Sequence, residues 1–328
     1  MQNTIPTKLV KGDKICVIAP SRSLSLISEE SRDIAKKRFE ELGLVLSFGK
    51  HVEETNDFVS SSVESRTEDL HTAFADASVK AVITVIGGFN SNQLLQYIDW
   101  DLIKSNPKIF CGFSDITALN NAFLAKTKLV TYSGPHYSSF GQKHHFEYTI
   151  EYFKKCLMEE QSFSLTASSQ WSDDEWYLDQ NDRTLIPNEG YFPIHKGSAE
   201  GIIIGGNLCT LNLLQGTEYM PDLKGSILFI EDDYESVPHT FDRDLQSLIH
   251  QPDFAKVKGI VIGRFQKKSN MTYSLLKQII ETKKELMTLP VVANADFGHT
   301  DPKATIPIGG NVKINVSKEK TQIEIIRH

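Results

Sequence analysis

Hydrophobic and polar positions follow two rhythms in the first half of the chain. Short apolar runs, rich in β-branched residues, occur at 14–19 (KICVIA), 44–48, 80–86 (KAVITVI), 108–112 (KIFCG) and 130–132. Between them lie longer stretches whose apolar residues recur every three or four positions, at about 29–42, 63–77, 92–103 and 115–126. In the last of these Ile116, Leu119, Phe123 and Leu124 share one side, as an amphipathic helix requires. Gly43 stops the first helix and Ser62 is a candidate cap for the second. Alternating strand and helix predicts a parallel, doubly wound sheet. Ligands of such sheets bind at the carboxyl ends of the strands. Three turns fall at that edge: Pro20-Ser21-Arg22, Gly87-Gly88 and Gly112-Phe113-Ser114.

A helix over 146–159 closes this half, and the periodicity then fails. Residues 161–196 are polar, carry Pro187 and Pro193, and hold Trp171 and Trp176 in the acidic run WSDDEWYLD. They read as a connecting loop. Regular patterns resume with strands at 201–205 (GIIIG), 226–230 (SILFI), 258–263 (KGIVIG), 290–293, 312–316 and 322–326, and helices over 208–215, 240–250 and 273–285. The expected organisation is an α/β domain over 1–160, a connecting loop over 161–196 and a smaller mixed α/β domain over 197–328.

Composition narrows the function. The 328 residues are 40% hydrophobic and 23% charged, with net charge -7. That balance fits a globular protein and disfavours nucleic acid or an anionic membrane as partner. The first twenty residues hold no apolar run long enough for a signal peptide, and nothing approaches the ~20 apolar residues of a membrane span. Cys16, Cys111, Cys156 and Cys209 lack paired or metal-ligand spacing. They read as free thiols, which points to a reducing cytoplasm and to neither a disulfide framework nor a metal site. The Gly87-Gly88 spacing is not that of a dinucleotide fingerprint, and no cofactor is expected.

Ser114 stands where strand becomes helix. A serine there either caps the helix or projects as a nucleophile beside the free N–H groups of the first turn. The G-x-S-x-G pattern is absent, because Asp115-Ile116 follow it. A nucleophilic serine needs an imidazole base, and the base needs an acceptor on its other nitrogen. His299, in a Gly-His-Thr-Asp-Pro loop after a buried strand, and His136, after Gly134-Pro135, are the candidates. Glu231 ends a wholly apolar strand, where it either orients the base or opens a solvated loop with Asp232 and Asp233. The glycine pair is either a tight turn or a backbone that approaches a ligand and lends N–H groups.

Five segments together resemble the LD-carboxypeptidase family of serine peptidases: I-G-G-F-N-S-N-Q (86–93), G-F-S-D-I-T-A-L (112–119), G-G-N-L (205–208), L-F-I-E-D (228–232) and G-H-T-D-P…I-P-I-G (298–309). They run in order along nearly the whole chain, in the form closest to the branch of microcin C self-immunity proteins. The resemblance implies a flavodoxin-like first domain, a cytoplasmic homodimer without metal, and a triad of Ser114, Glu231 and His299. Oxyanion donors would be the backbone of Asp115 and of Gly87 or Gly88. Asn207, Trp171 and Trp176 are the candidate substrate contacts. The tryptophans would either stack on a nucleobase or anchor their loop. The implied substrate is a small peptide or peptidyl-nucleotide: D-Ala is trimmed from murein tetrapeptides, or an aminoacyl-nucleotide amide is cleaved. Two other readings remain. A class I amidotransferase would need a cysteine at the elbow, whereas Cys111 lies three residues early. A non-catalytic, two-lobed peptide or sugar binding protein would need no reactive serine.

Overall fold

The computed structural model describes residues 3–328. Strands β1 (Lys14–Ile18), β2 (Val45–Phe48), β3 (Val79–Thr84), β4 (Ile109–Cys111) and β5 (Thr131–Ser133) pair in the parallel order β5-β4-β3-β1-β2. Helices α1 (Glu29–Glu41), α2 (Val63–Ala75), α3 (Trp100–Ser105), α4 (Thr117–Thr127) and α5 (Glu147–Leu157) accompany them. Ser28 and Ser62 cap α1 and α2 by accepting from the N–H groups of Ser31 and Ser65, satisfying donors that the helix cannot. The expected helix over 92–103 is instead a 3-10 turn, Ser91–Leu94, followed by α3. Asp99 causes the break: its extended backbone and its side chain, which accepts from Leu102 N–H at 2.9 Å, start a new helix.

The second sheet has eight strands. Its strands in chain order are β6 (Phe163–Leu165), β9 (Phe192–His195), β10 (Gly197–Asn207), β11 (Ser226–Glu231), β12 (Gly259–Gly263), β13 (Val291–Ala295), β15 (Asn311–Val316) and β16 (Gln322–Arg327); β7 (Gln170–Trp171) and β8 (Ile186–Pro187) form a separate ribbon. A parallel centre, β10-β11-β12-β13, is flanked by antiparallel strands. Helices α6 (Leu208–Asn212), α7 (Pro238–Ile249) and α8 (Tyr273–Glu281) follow β10, β11 and β12. Every residue of β11 is buried, as expected of a central parallel strand covered on both faces. Two boundaries differ from the sequence expectation. Residues 161–196 contribute β6 and β9 to the second sheet, and β14 (Ile306–Ile308) returns to the first, antiparallel to β5.

The halves are joined through α4, which is buried along almost its whole length. Phe123 packs against Phe110, Phe74 and Trp100 on the first-domain side, with ring centroids 4.8–5.8 Å apart. On the other side β10 comes close: Asn121 Nδ2 donates to Gly205 O at 2.8 Å, and Asn207 N–H donates to Thr117 Oγ1 at 2.9 Å. Gly206 permits this approach. Its φ is +122°, and a Cβ there would meet the Thr117 side chain. The helix that follows Ser114 is thereby fixed against the sheet that carries Glu231.

Candidate active site

Ser114 begins a 3-10 turn, Ser114–Ile116, at the carboxyl end of β4, and its φ is +60°. Left-handed backbone is unfavourable for a residue with a Cβ and persists where its surroundings enforce it. The serine does not cap the helix. Its Oγ lies 2.9 Å from His299 Nε2.

His299 follows β13 in a loop of the second domain. Its Nδ1 donates to Glu231 Oε2 at 2.7 Å. That bond leaves the Nε2 lone pair facing the serine hydroxyl, the tautomer a general base needs. Glu231 is the last residue of β11, paired in register with Asn207 of β10, and its side chain is only 2% exposed. A buried carboxylate beside an imidazole stabilises the imidazolium that proton uptake creates.

The glycine pair lies next to the serine. A Cβ on Gly87 would sit 3.0 Å from Ser114 Cβ and 3.1 Å from its Oγ. The N–H groups of Gly87, Gly88 and Asp115 have no partner among the described residues, which leaves them as donors for an oxyanion. The Asp115 side chain holds this corner together. Its Oδ2 accepts from Ser21 Oγ at 2.6 Å and from the backbone of Asn90 and Ser91 at 3.1 and 2.9 Å. The cleft between the two domains has a volume of about 460 Å³, enough for a small ligand.

Residues 15–134 match the LD-carboxypeptidase N-terminal domain and residues 200–314 the LD-carboxypeptidase C-terminal domain. The chain belongs to the LD-carboxypeptidase family. A crystal structure of an MccF-like protein from Bacillus anthracis str. Ames is 55% identical, has a TM-score of 0.98, and is matched over 99% of this chain and 100% of that one. The microcin C7 self-immunity protein MccF of Escherichia coli is 32% identical over 331 residues, covering 97% of this chain and 94% of MccF. The structure of MccF with aspartyl sulfamoyl adenosine has a TM-score of 0.89, with 30% identity over 99% of each chain. The murein tetrapeptide carboxypeptidase of Pseudomonas aeruginosa is 27% identical over 307 residues, covering 90% and 91% of the two chains.

Within this LD-carboxypeptidase fold, two of the expected substrate contacts lie elsewhere. Trp171 is in β7, with Arg264 and Lys267 over its ring at 5.1 and 5.7 Å, and lines a separate cavity on the second domain. Trp176, five residues on, borders the cleft together with Ser114 and Tyr177. Asn207 does not line the cleft. Its side chain is committed within the protein, with Oδ1 capping α6 and Nδ2 donating to Asp232 Oδ1 at 3.0 Å. His136, the rival base, forms no hydrogen bond with Ser114 Oγ among the described residues. Its Nδ1 is 2.7 Å from Thr84 Oγ1 and its ring packs, tilted by 31°, against Phe113. Burial, with Lys303 and His299 nearby, holds its pKa well below 6.5. Lys303, which the sequence reading passed over, pairs with Asp301 at the cleft wall and lies 5.3 Å above Phe113. Its position directly after the Gly-His-Thr-Asp-Pro loop is the available signal. Among the described residues no group of three or more His, Cys, Asp or Glu side chains is arranged to hold a metal ion.

The electrostatics of the cleft set a pH dependence. Burial opposes charge on His299, but the Glu231 carboxylate, aided by Asp233 and Asp232, outweighs it and raises the pKa above 6.5. Burial and the charge of Glu231 push the neighbouring Asp232 carboxyl up to about 7. A histidine raised on folding stabilises the fold fully below its unfolded pKa, and this contribution fades as pH rises through the folded value. Activity has the opposite sense, because a base must be neutral. The kcat/KM profile should therefore rise with pH through an apparent pKa above 6.5. Asp232→Asn should keep that limb. A limb that vanished with Asp232 would assign it to the carboxyl group instead.

Proposed function

We propose that the protein hydrolyses an amide bond by serine catalysis, with Ser114 as nucleophile, His299 as base and Glu231 as the orienting carboxylate. The observation that carries this reading is the unbroken hydrogen-bonded chain from Ser114 Oγ through His299 to Glu231. His299 Nε2 takes the hydroxyl proton as Oγ bonds to the scissile carbonyl carbon. The resulting oxyanion is met by N–H groups of Gly87 or Gly88 and of Asp115, and each such donor is worth about 10²- to 10³-fold in rate. The imidazolium then protonates the leaving nitrogen, the C–N bond breaks, and an acyl-serine remains. Water, deprotonated by the same imidazole, releases the acid and restores Ser114.

Two substrate classes fit a member of this family: a murein tetrapeptide that loses D-Ala, and an aminoacyl-nucleotide amide. The half-buried Trp176 and the exposed Tyr177 at the cleft favour the second, since an aromatic face at a cleft can stack on a base. Mass spectrometry of products from a murein tetrapeptide, its all-L analogue and an aspartyl-adenylate amide tests the reading. Cleavage of at least one of the first and third, with the all-L peptide intact, is expected. Binding without product from any of them would favour the non-catalytic binding protein. Stacking is worth roughly 1–3 kcal/mol per base, so Trp176→Ala should raise KM for the adenylate amide about tenfold and leave tetrapeptide cleavage nearly unchanged. Equal losses on both would give the indole a structural role.

Because the imidazole supplies the base, no metal takes part in the proposed steps. Turnover should be unchanged by EDTA; loss restored by zinc would contradict the scheme. The four cysteines are free, and no described helix is long and apolar enough to cross a membrane. The free thiols support a reducing, cytoplasmic setting. The homodimer that the resemblance implies is part of the same proposal, and sedimentation would measure it.

A further inference from the structure

Arg22 stands apart from the other cations of the cleft. Lys268 pairs with Glu175 at 3.3 Å, Lys303 with Asp301, and His299 with Glu231. The Arg22 guanidinium forms no hydrogen bond or ion pair among the described residues, and it lies over the Phe89 ring at 4.9 Å. Phe89 is itself 67% exposed, so the guanidinium lies on an aromatic plate at the mouth of the cleft with its donors unspent. A planar guanidinium held this way is suited to grip an oxyanion through two N–H groups.

Its position is set by the glycine pair. Ser114 lies against Gly87, and Arg22 Cγ would lie 2.9 Å from a Cβ on Gly88. Serine and arginine therefore flank consecutive residues of one turn. In a trans amide the carbonyl oxygen and the Cα of the following residue are on the same side of the C–N bond. A substrate whose carbonyl oxygen meets the glycine N–H groups must then carry its leaving group on the glycine side, toward Arg22. The segment after β11 brings Asp233 and Glu235 to the cleft lining, and these repel an anion.

The geometry points to Arg22 as the residue that binds the anion of the leaving group beside the scissile nitrogen, an assignment that rests on the serine hydrolase reading above. In a peptide substrate this anion is the terminal carboxylate, one carbon beyond the nitrogen. In a nucleotide substrate it is an acidic sulfamoyl or phosphoryl group bonded to the nitrogen. Arg22 so makes the enzyme selective for an amide whose leaving group bears a negative charge close to the cut, and it explains how one site serves an exopeptidase and a nucleotide-amide hydrolase.

The test uses matched pairs: murein tetrapeptide against its C-terminal carboxamide, and aspartyl sulfamoyl adenosine against the neutral aspartyl amide of 5′-amino-5′-deoxyadenosine. Binding is measured by calorimetry in the full chain carrying Ser114→Ala, so it does not depend on turnover; turnover by the unaltered protein tests the hydrolase reading separately. Adding Arg22→Gln should weaken the anionic member of the bound pair about 10- to 100-fold, the range expected for losing a hydrogen bond to a charged group. The neutral member should change less than about threefold, which also shows that the variant is folded. Arg22→Lys should recover part of the loss. The pair that responds identifies the source of the anion. Equal weakening of both members, no weakening of either, or no preference for the anionic member with Arg22 intact would overturn the assignment.

Discussion

Ser114→Ala, His299→Ala and Glu231→Ala should each lower kcat by about 10³-fold or more, while circular dichroism and thermal unfolding stay close to wild type. The expectation follows from the hydrogen-bonded chain. Without Oγ there is nothing to acylate. Without the imidazole the hydroxyl keeps its proton. Without the carboxylate the imidazole loses both its tautomer and the partner of its charged form. Groups that act as one unit are strongly non-additive, so double variants should lose little beyond the worst single one. Steady-state kinetics on whichever substrate the product analysis identifies would measure this. Near wild-type turnover in His299→Ala would return the role of base to His136.

Gly298→Ala should be nearly as damaging although it removes no functional group. Gly298 has φ +98°, a region that L side chains rarely adopt. A Cβ there would also lie 2.6 Å from Cδ and Cγ of Glu231 and press on the carboxylate that holds His299. Something must move, and the movable parts are the Glu231 side chain and the His299 loop. Displacements of about 1 Å at a reacting centre can cost on the order of 10²-fold, so kcat should fall by about that factor or more, with a smaller change in KM. A kcat within threefold of wild type would show that the Glu231–His299 pair tolerates displacement.

Glycine 298 also illustrates what could be read before the fold was seen. The sequence shows it only as part of the Gly-His-Thr-Asp-Pro segment, because the neighbour it makes room for, Glu231, comes from a strand almost seventy residues away. The apolar runs of β1, β3, β4 and of β11 to β13 were legible because burial on both faces leaves a strong apolar signature. The strands β6, β7, β8 and β9 have two to four residues each, too short for a period. β6 and β9 acquire register from β16 and β13. β14 is equally short, and nothing local tells Ile306–Ile308 to join the first sheet.

The site divided in the same way. Ser114, Glu231 and His299 were visible as residues at strand ends, and the family resemblance ordered them. Composition could not choose between Trp171 and Trp176, which share one acidic run; only the pairing of β7 with β8 carries the first away from the cleft. Nor could it separate a helix cap from a left-handed serine whose hydroxyl points across to the other domain. Arg22 lay in a turn already marked as part of the ligand edge. Its importance depends on the absence of an acid partner, and that is a property of the folded surface.

The central claim is that Ser114 is a nucleophile activated by His299. Reaction of the full chain with a phosphonofluoridate, followed by peptide mass spectrometry, tests it most directly. One adduct on Ser114 is expected, with labelling at least about 100-fold slower in His299→Ala. Labelling at another residue, or full turnover of substrate by protein that carries no adduct after exhaustive treatment, would contradict it.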